Sequence, residues 1–241
     1  ARRGYGYGYG YGYGLDPTII LVLIGVALSL WAQGRVNSTF SRYSRVRSMT
    51  GMTGAEAARR LLNAQGIYDV TVQQIAGELT DHYDPRTKTV NLSQSVYGAT
   101  SVAAIGVAAH ECGHAMQDNE GYAPLRFRSA LVPVANFGSS LSWPLILLGL
   151  VFGGLGSPLV EIGILMFSLA VLFQLVTLPV EYNASARAVR LLDAQGILAG
   201  EEVNGTRKVL NAAALTYVAS AAAAILQLLR LILLFGRNNR D

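Results

Sequence analysis

Residues Leu159 to Val180 read LVEIGILMFSLAVLFQLVTLPV, a run broken only by Glu161 near its start and by Gln174. At 1.5 Å of rise per residue, about 20 such residues carry a helix across the ~30 Å apolar core of a bilayer. Three other stretches read the same way. Pro17 to Gln33 holds no charge, and Ala130 to Val151 carries Asn136, Ser139, Ser140 and Ser142 in its first half. Ala213 to Phe235 has Arg230 close enough to its end to snorkel. Hydrophobic residues make up 51% of the chain and charged residues 14%, with a mean hydropathy of +0.35. A soluble domain carries roughly a quarter charged residues. Buried core helices are the bland alternative, strongest for the short first run, but four such runs in 241 residues favour membrane spans.

The chain divides accordingly into a low-complexity tail (1–16), a first span (17–33), a long polar segment (34–128), a second span (129–154), a third (159–180), a second polar segment (181–212), a fourth span (213–236) and a short tail (237–241). Residues 4–14 alternate Gly and Tyr, a composition that builds no core alone and fits a disordered tail lying against headgroups. The first run lacks a small-residue cleavage site and is not read as a removable signal peptide. The two polar segments share one side of the membrane and hold 14 of the 19 basic residues, including Arg35, Arg42, Arg126, Arg128, Arg187 and Lys208. The positive-inside rule puts that side in the cytoplasm and the protein in the cell's inner (plasma) membrane as a multi-pass chain. The net charge of +4 gives no reason to expect a nucleic-acid partner. Cys112 is the single cysteine, so no internal disulfide exists, and the residue reads as a small packed hydrophobe.

Within the first polar segment, Thr53-Gly54-Ala55-Glu56 is a capping box opening a helix that runs to about Gln65 and stops at Gly66. Val70 to Ile75, Leu79 to Tyr83 and Lys88 to Leu92 then alternate like strands. Asp84-Pro85-Arg86 marks a turn between the last two, which predicts a small antiparallel sheet with a hairpin. Helices are expected over about Ser101 to Gln117, Val180 to Gln195, and from near Glu201. The string Arg60 to Ile67 recurs as Arg190 to Ile197 with one change, Asn to Asp. Nothing else repeats at that offset, so both read as one helix-stop solution.

The chemistry is carried by His110-Glu111-Cys112-Gly113-His114 on the Ser101–Gln117 helix. Residues i and i+4 stack on one helix face, so both imidazoles can grip one cation while Glu111 projects about 100° around. Zinc suits neutral imidazole nitrogen and an open position for water, although the pentapeptide alone also occurs on ordinary helices. A catalytic zinc takes three protein ligands. His82 is the remaining histidine, and Glu181 is an acid just where the third run ends. An acid there also reads as an N-terminal charge complementing a helix dipole.

Three strings then resemble the bacterial membrane neutral zinc metallopeptidases (YugP-like): Leu79-Thr80-Asp81-His82-Tyr83-Asp84-Pro85, Val107 to Ala115, and Pro179-Val180-Glu181-Tyr182-Asn183-Ala184-Ser185. Ala212 to Ala219 adds to the likeness, which runs from Asp16 onward. More distantly, the chain is similar to HtpX-like and CAAX-processing membrane gluzincins. That resemblance implies one Zn2+ held by His110, His114 and Glu181, with Ser185 standing where those relatives carry an aspartate. It implies an α+β membrane protein with about four transmembrane helices and a small zincin-like catalytic unit at the cytoplasmic face. Polypeptide substrates, foremost membrane-associated or misfolded proteins, and the lipid bilayer are the expected partners; oligomerisation is left open.

Glu111 would serve as general base toward a zinc-activated water and then return the proton to the leaving amine. His82, Tyr182, Tyr217 and Arg187 are candidate oxyanion donors, with His82 and Tyr217 foremost. His82 stands in a strand whose edge suits an extended peptide. Asn183, Ser185 and Arg187 are candidates for orienting the ligands. The rival reading is a catalytically inactive membrane scaffold or chaperone with a closed four-ligand zinc site, for which His82 would be the fourth ligand. A transporter would need ionisable groups deep in the spans, and only Glu161 and Arg230 qualify, both near ends.

Overall fold

A computed structural model describes residues 16–154 and 157–235. Most of the Gly-Tyr tail and the 237–241 tail lie outside the described residues. Among the described residues, seven helices and three strands follow one another: α1 (Ile19–Tyr43), α2 (Gly54–Ala64), β1 (Thr71–Ile75), β2 (His82–Asp84), β3 (Thr89–Ser93), α3 (Gln94–Tyr97), α4 (Val102–Asn119), α5 (Ala123–Gly153), α6 (Pro158–Ala194) and α7 (Glu201–Phe235). Four of them, α1, α5, α6 and α7, are long and apolar enough to cross a membrane. The protein is an α+β membrane protein.

Each of these four helices continues well past its apolar run. The α6 helix is 37 residues long and passes through Pro179 without ending. Proline commonly marks a boundary because it removes one backbone donor and crowds the preceding turn. The expected break near Val180 is therefore absent. Glu181 sits in a helix interior, where no free N-terminal dipole exists to be capped, so the capping explanation of Glu181 is corrected.

Local signals elsewhere act as read. The capping box closes reciprocally, with Thr53 N donating to Glu56 Oε2 at 2.8 Å and Glu56 N donating to Thr53 Oγ1 at 3.2 Å. The repeated string ends α2 and α6 identically. Gly66 and Gly196 take φ of +70° and +59°, and the amides of Ile67 and Ile197 reach back to Leu62 and Leu192 carbonyls at 2.9 Å. Both isoleucines are buried, which is the apolar half of that stop. The two stops also lie side by side, since Arg60 Nη2 donates to the Gln195 carbonyl at 2.8 Å.

The sheet differs from the all-antiparallel expectation. Its order is β1-β3-β2, with β1 parallel to β3 and only β2 antiparallel to it. Alternation specifies which face a side chain takes, not strand direction, since both directions share a period of two. The most buried strand, β3, fills the centre, and the chain crosses from β1 to the far edge before turning back. Gly77 (φ +103°) and Leu79 (φ +53°) bend that crossing, so the second strand starts at His82 rather than at Leu79. Asp118 ties the sheet to α4 by accepting from Tyr83 Oη and Lys88 Nζ, each at 2.8 Å.

Candidate metal centre

The α4 helix is the most buried helix, with Ile105, Ala108, Ala109 and Cys112 at 0% exposure packed in the core beneath α2, β3 and α6. Its small residues allow that fit. At Gly113 a Cβ would come within 2.6 Å of the Ala184 carbonyl oxygen, so α4 and α6 cross in backbone contact there. One turn on either side of that crossing, the helices present their polar residues to each other.

The crossing brings His110, His114 and Glu181 together. His110 Nε2 lies 3.2 Å and His114 Nε2 3.5 Å from Glu181 Oε2, and the ring centroids are 4.8 Å apart at 84°. Among the described residues, these three are the group of metal-ligating side chains whose donor atoms all fall within 4.8 Å. Donors held tetrahedrally at about 2.0–2.1 Å from one zinc stand roughly 3.3 Å from each other. The carboxylate-to-imidazole separations fit that figure, and two imidazoles with one carboxylate form a borderline donor set suited to zinc. Burial opposes charge on His114, but its contact with Glu181 and the charge of Glu111 outweigh that and hold its pKa above the ordinary 6.5. The cluster draws positive charge inward, as a cation site must.

Hydrogen bonds orient each imidazole. Gln117 Nε2 donates to the Val180 carbonyl and to Asn183 Oδ1, both at 2.9 Å, which leaves Gln117 Oε1 to accept from His114 Nδ1 at 3.0 Å. With Nδ1 committed to Gln117, Nε2 is the His114 nitrogen that faces the trio. His110 Nδ1 pairs with Ser185 Oγ at 3.1 Å, which orients its ring with Nε2 toward Glu181. Arg187 continues the chain, donating to Asn183 Oδ1 at 2.7 Å and to Glu120 Oε1 at 2.6 Å. Asn183, Ser185 and Arg187 thus all touch the network around the imidazoles.

Glu111 is 7% exposed, and no hydrogen bond or ion pair among the described residues holds its carboxylate. Tyr217 of α7 is hydrogen-bonded to Glu181 and lies within electrostatic reach of Glu111 and Arg128. His82 is elsewhere: its Nδ1 faces the Thr80 carbonyl at 2.9 Å and its Nε2 the Asn91 amide at 3.2 Å, so both nitrogens are engaged outside the trio. Cys112 faces the core toward the Ala58 carbonyl, and burial pushes its thiol up, away from the thiolate a metal requires.

Two participants were missed in the sequence. Gln117, fully buried, stands three residues after His114 and therefore on the same helix face, a signal that was present. Arg128, read only as a topology marker, places Nη1 3.5 Å from Glu181 Oε1, on the oxygen turned away from the imidazoles. Its Nε is buried without a partner among the described residues. Nothing local signals this contact, because α5 and α6 meet only through tertiary packing.

The family model described as "Putative neutral zinc metallopeptidase" matches residues 18–236. "Putative membrane protease YugP" of Bacillus subtilis (strain 168) is 48% identical over 223 residues, covering 92% of this chain and 98% of that relative. No solved structure matches the chain.

Proposed function

The chain belongs to the neutral zinc metallopeptidase family, and from that premise we propose that it is an integral membrane endopeptidase of the gluzincin type. The observation that carries this reading is the meeting of His110, His114 and Glu181 across the α4–α6 crossing. Those three residues would hold one zinc ion, which supplies a Lewis acid and a water of lowered pKa when bound.

The protein's own groups divide the remaining work. Glu111, buried and unengaged, takes a proton from the attacking water and delivers it to the departing amine. Arg128 holds Glu181 Oε1 and so turns Oε2 toward the imidazoles. Arg128 Nε, which has no partner among the described residues, is the donor available to a developing oxyanion, while the Tyr217 hydroxyl is engaged with Glu181. Ser185 and Gln117 hold each imidazole by its Nδ1 so that Nε2 faces Glu181, and Asn183 and Arg187 brace Gln117. His82 is given no part in the chemistry. Its separation from the trio leaves three protein donors, which weighs against a closed structural zinc site in a scaffold or chaperone.

The excess of basic residues on the site's side supports a cytoplasmic placement in the cell membrane. The substrates that fit this position are membrane proteins and unfolded segments emerging from the bilayer. For the placement, a cysteine at exposed Asn63 should escape an impermeant thiol label in intact cells, and labelling there would reverse the topology. For the activity, Glu111→Gln should lose cleavage of casein in detergent while retaining zinc; undiminished turnover would remove Glu111 as the base.

A further inference from the structure

A cleft of about 710 Å³ opens between α1, α6 and α7, lined on α6 by Tyr182. Arg35, Arg42 and Lys208 line it, and no acidic residue does. Some cations elsewhere in the fold have acidic partners, as Arg128 has Glu181 and Arg187 has Glu120, whereas exposed arginines such as Arg45, Arg126 and Arg190 have none among the described residues. Arg35, Arg42 and Lys208 have no ion-pair partner among the described residues. Three like charges around one cleft repel one another, and an anion between them relieves that repulsion. Thr39, Tyr182 and Asn211 add neutral side-chain donors that make no hydrogen bond within the described residues. The adjoining cleft beyond Tyr182 and Asn211 includes Asp193 and is not of one sign.

Depth identifies the kind of anion. The charge-free run of α1 ends at Gln33 and that of α7 begins near Ala213. Along the helix axes, Arg35 lies about 3 Å beyond Gln33, and Lys208 about 8 Å short of Ala213. The headgroup layer is roughly 5–8 Å thick on each side of the hydrocarbon. Ala212 and Leu215 give the cleft an apolar wall on the bilayer side. Arg42, seven residues further along α1, lies about 10 Å beyond Arg35, at the water end of the cleft. An opening with Arg35 and Lys208 at headgroup depth and aliphatic side chains toward the hydrocarbon matches an amphiphile, not a soluble acidic peptide. Basic pockets between spanning helices are suited to acidic lipid headgroups, and arginine forks match phosphate oxygens.

We propose that this cleft binds the phosphate headgroup of an acidic phospholipid drawn from the leaflet that the metal centre faces. The inference rests on the membrane placement of α1 and α7 and does not depend on peptide cleavage.

Native mass spectrometry of the full chain, released from micelles holding equal amounts of phosphatidylglycerol and phosphatidylcholine, tests it. Phosphatidylglycerol should be retained in preference, and the preference should fall about fivefold for each cation removed in Arg35→Gln and Lys208→Gln. Arg86→Gln, which removes an exposed cation on the β2–β3 turn, should leave it unchanged. Arg42→Gln is the alternative variant should either of the first two lose zinc or its thermal transition. Equal retention of the two lipids overturns the proposal, as does an equal effect of Arg86→Gln. Displacement of the bound lipid by inorganic phosphate at matched concentration would assign the cleft to soluble phosphate and overturn the lipid as its source.

Discussion

Gln117 Nε2 donates to Asn183 Oδ1 at 2.9 Å, and this bond joins the helix of the paired histidines to the helix of the carboxylate. The same amide orients His114 through its other end, so helix docking and imidazole orientation are set by one side chain. Gln117→Leu should therefore leave the fold standing but strand His114 Nδ1 and the Val180 carbonyl. Zinc affinity should fall about 10–100-fold, as found when groups behind a ligand are removed. Competition with a chromophoric chelator measures it, and wild-type affinity would show that Gln117 does not position the ligand.

Glu181→Ala should abolish stable zinc retention through purification. It also leaves the Arg128 guanidinium facing a void, so the variant should unfold at lower temperature than wild type stripped of metal. Metal content equal to wild type would point to another third ligand.

Gly113→Ala tests the crossing itself. The added methyl would meet the Ala184 backbone at 2.6 Å, and backbone cannot swing aside as a side chain can. A loss of about 1–3 kcal/mol in stability is expected from such overpacking, together with weakened zinc binding because α6 is pushed off the imidazoles. Thermal melts and metal analysis read the two effects. A neutral result in both would mean that the helices do not touch there.

Zinc binding should depend on pH with a defined sign. In the metal-free protein His114 has its pKa raised above 6.5, so it remains protonated at pH values where a free histidine is neutral. That proton stabilises the metal-free fold fully below the unfolded value of about 6.5, and its contribution is lost as pH rises through the raised folded value. Zinc must displace it, so affinity should climb with pH through this window and proton release should accompany binding. Calorimetry in buffers of different ionisation enthalpy counts the protons. No proton release between pH 6.5 and the plateau would contradict the raised value.

Much of this molecule is written locally. The four spans follow from uninterrupted apolar length, the Thr53–Glu56 cap from a three-residue spacing, the stops at Gly66 and Gly196 from glycine followed by isoleucine, and the stacked His110 and His114 from a four-residue interval. Each of these depends on contacts within one or two helical turns, which a period or a capping residue encodes directly. The uninterrupted passage of α6 through Pro179, the parallel pairing of β1 with β3, the use of Gln117 as a brace and the seat of Arg128 on Glu181 do not. They join residues from separate elements, and their distances follow from how closely helix backbones approach, as at Gly113 against Ala184. The amino-acid string alone determined the membrane-spanning α+β class and the paired imidazoles. Tertiary packing decided which carboxylate completes the trio and which neighbours orient it, because close packing between distant segments has no periodic trace along the chain.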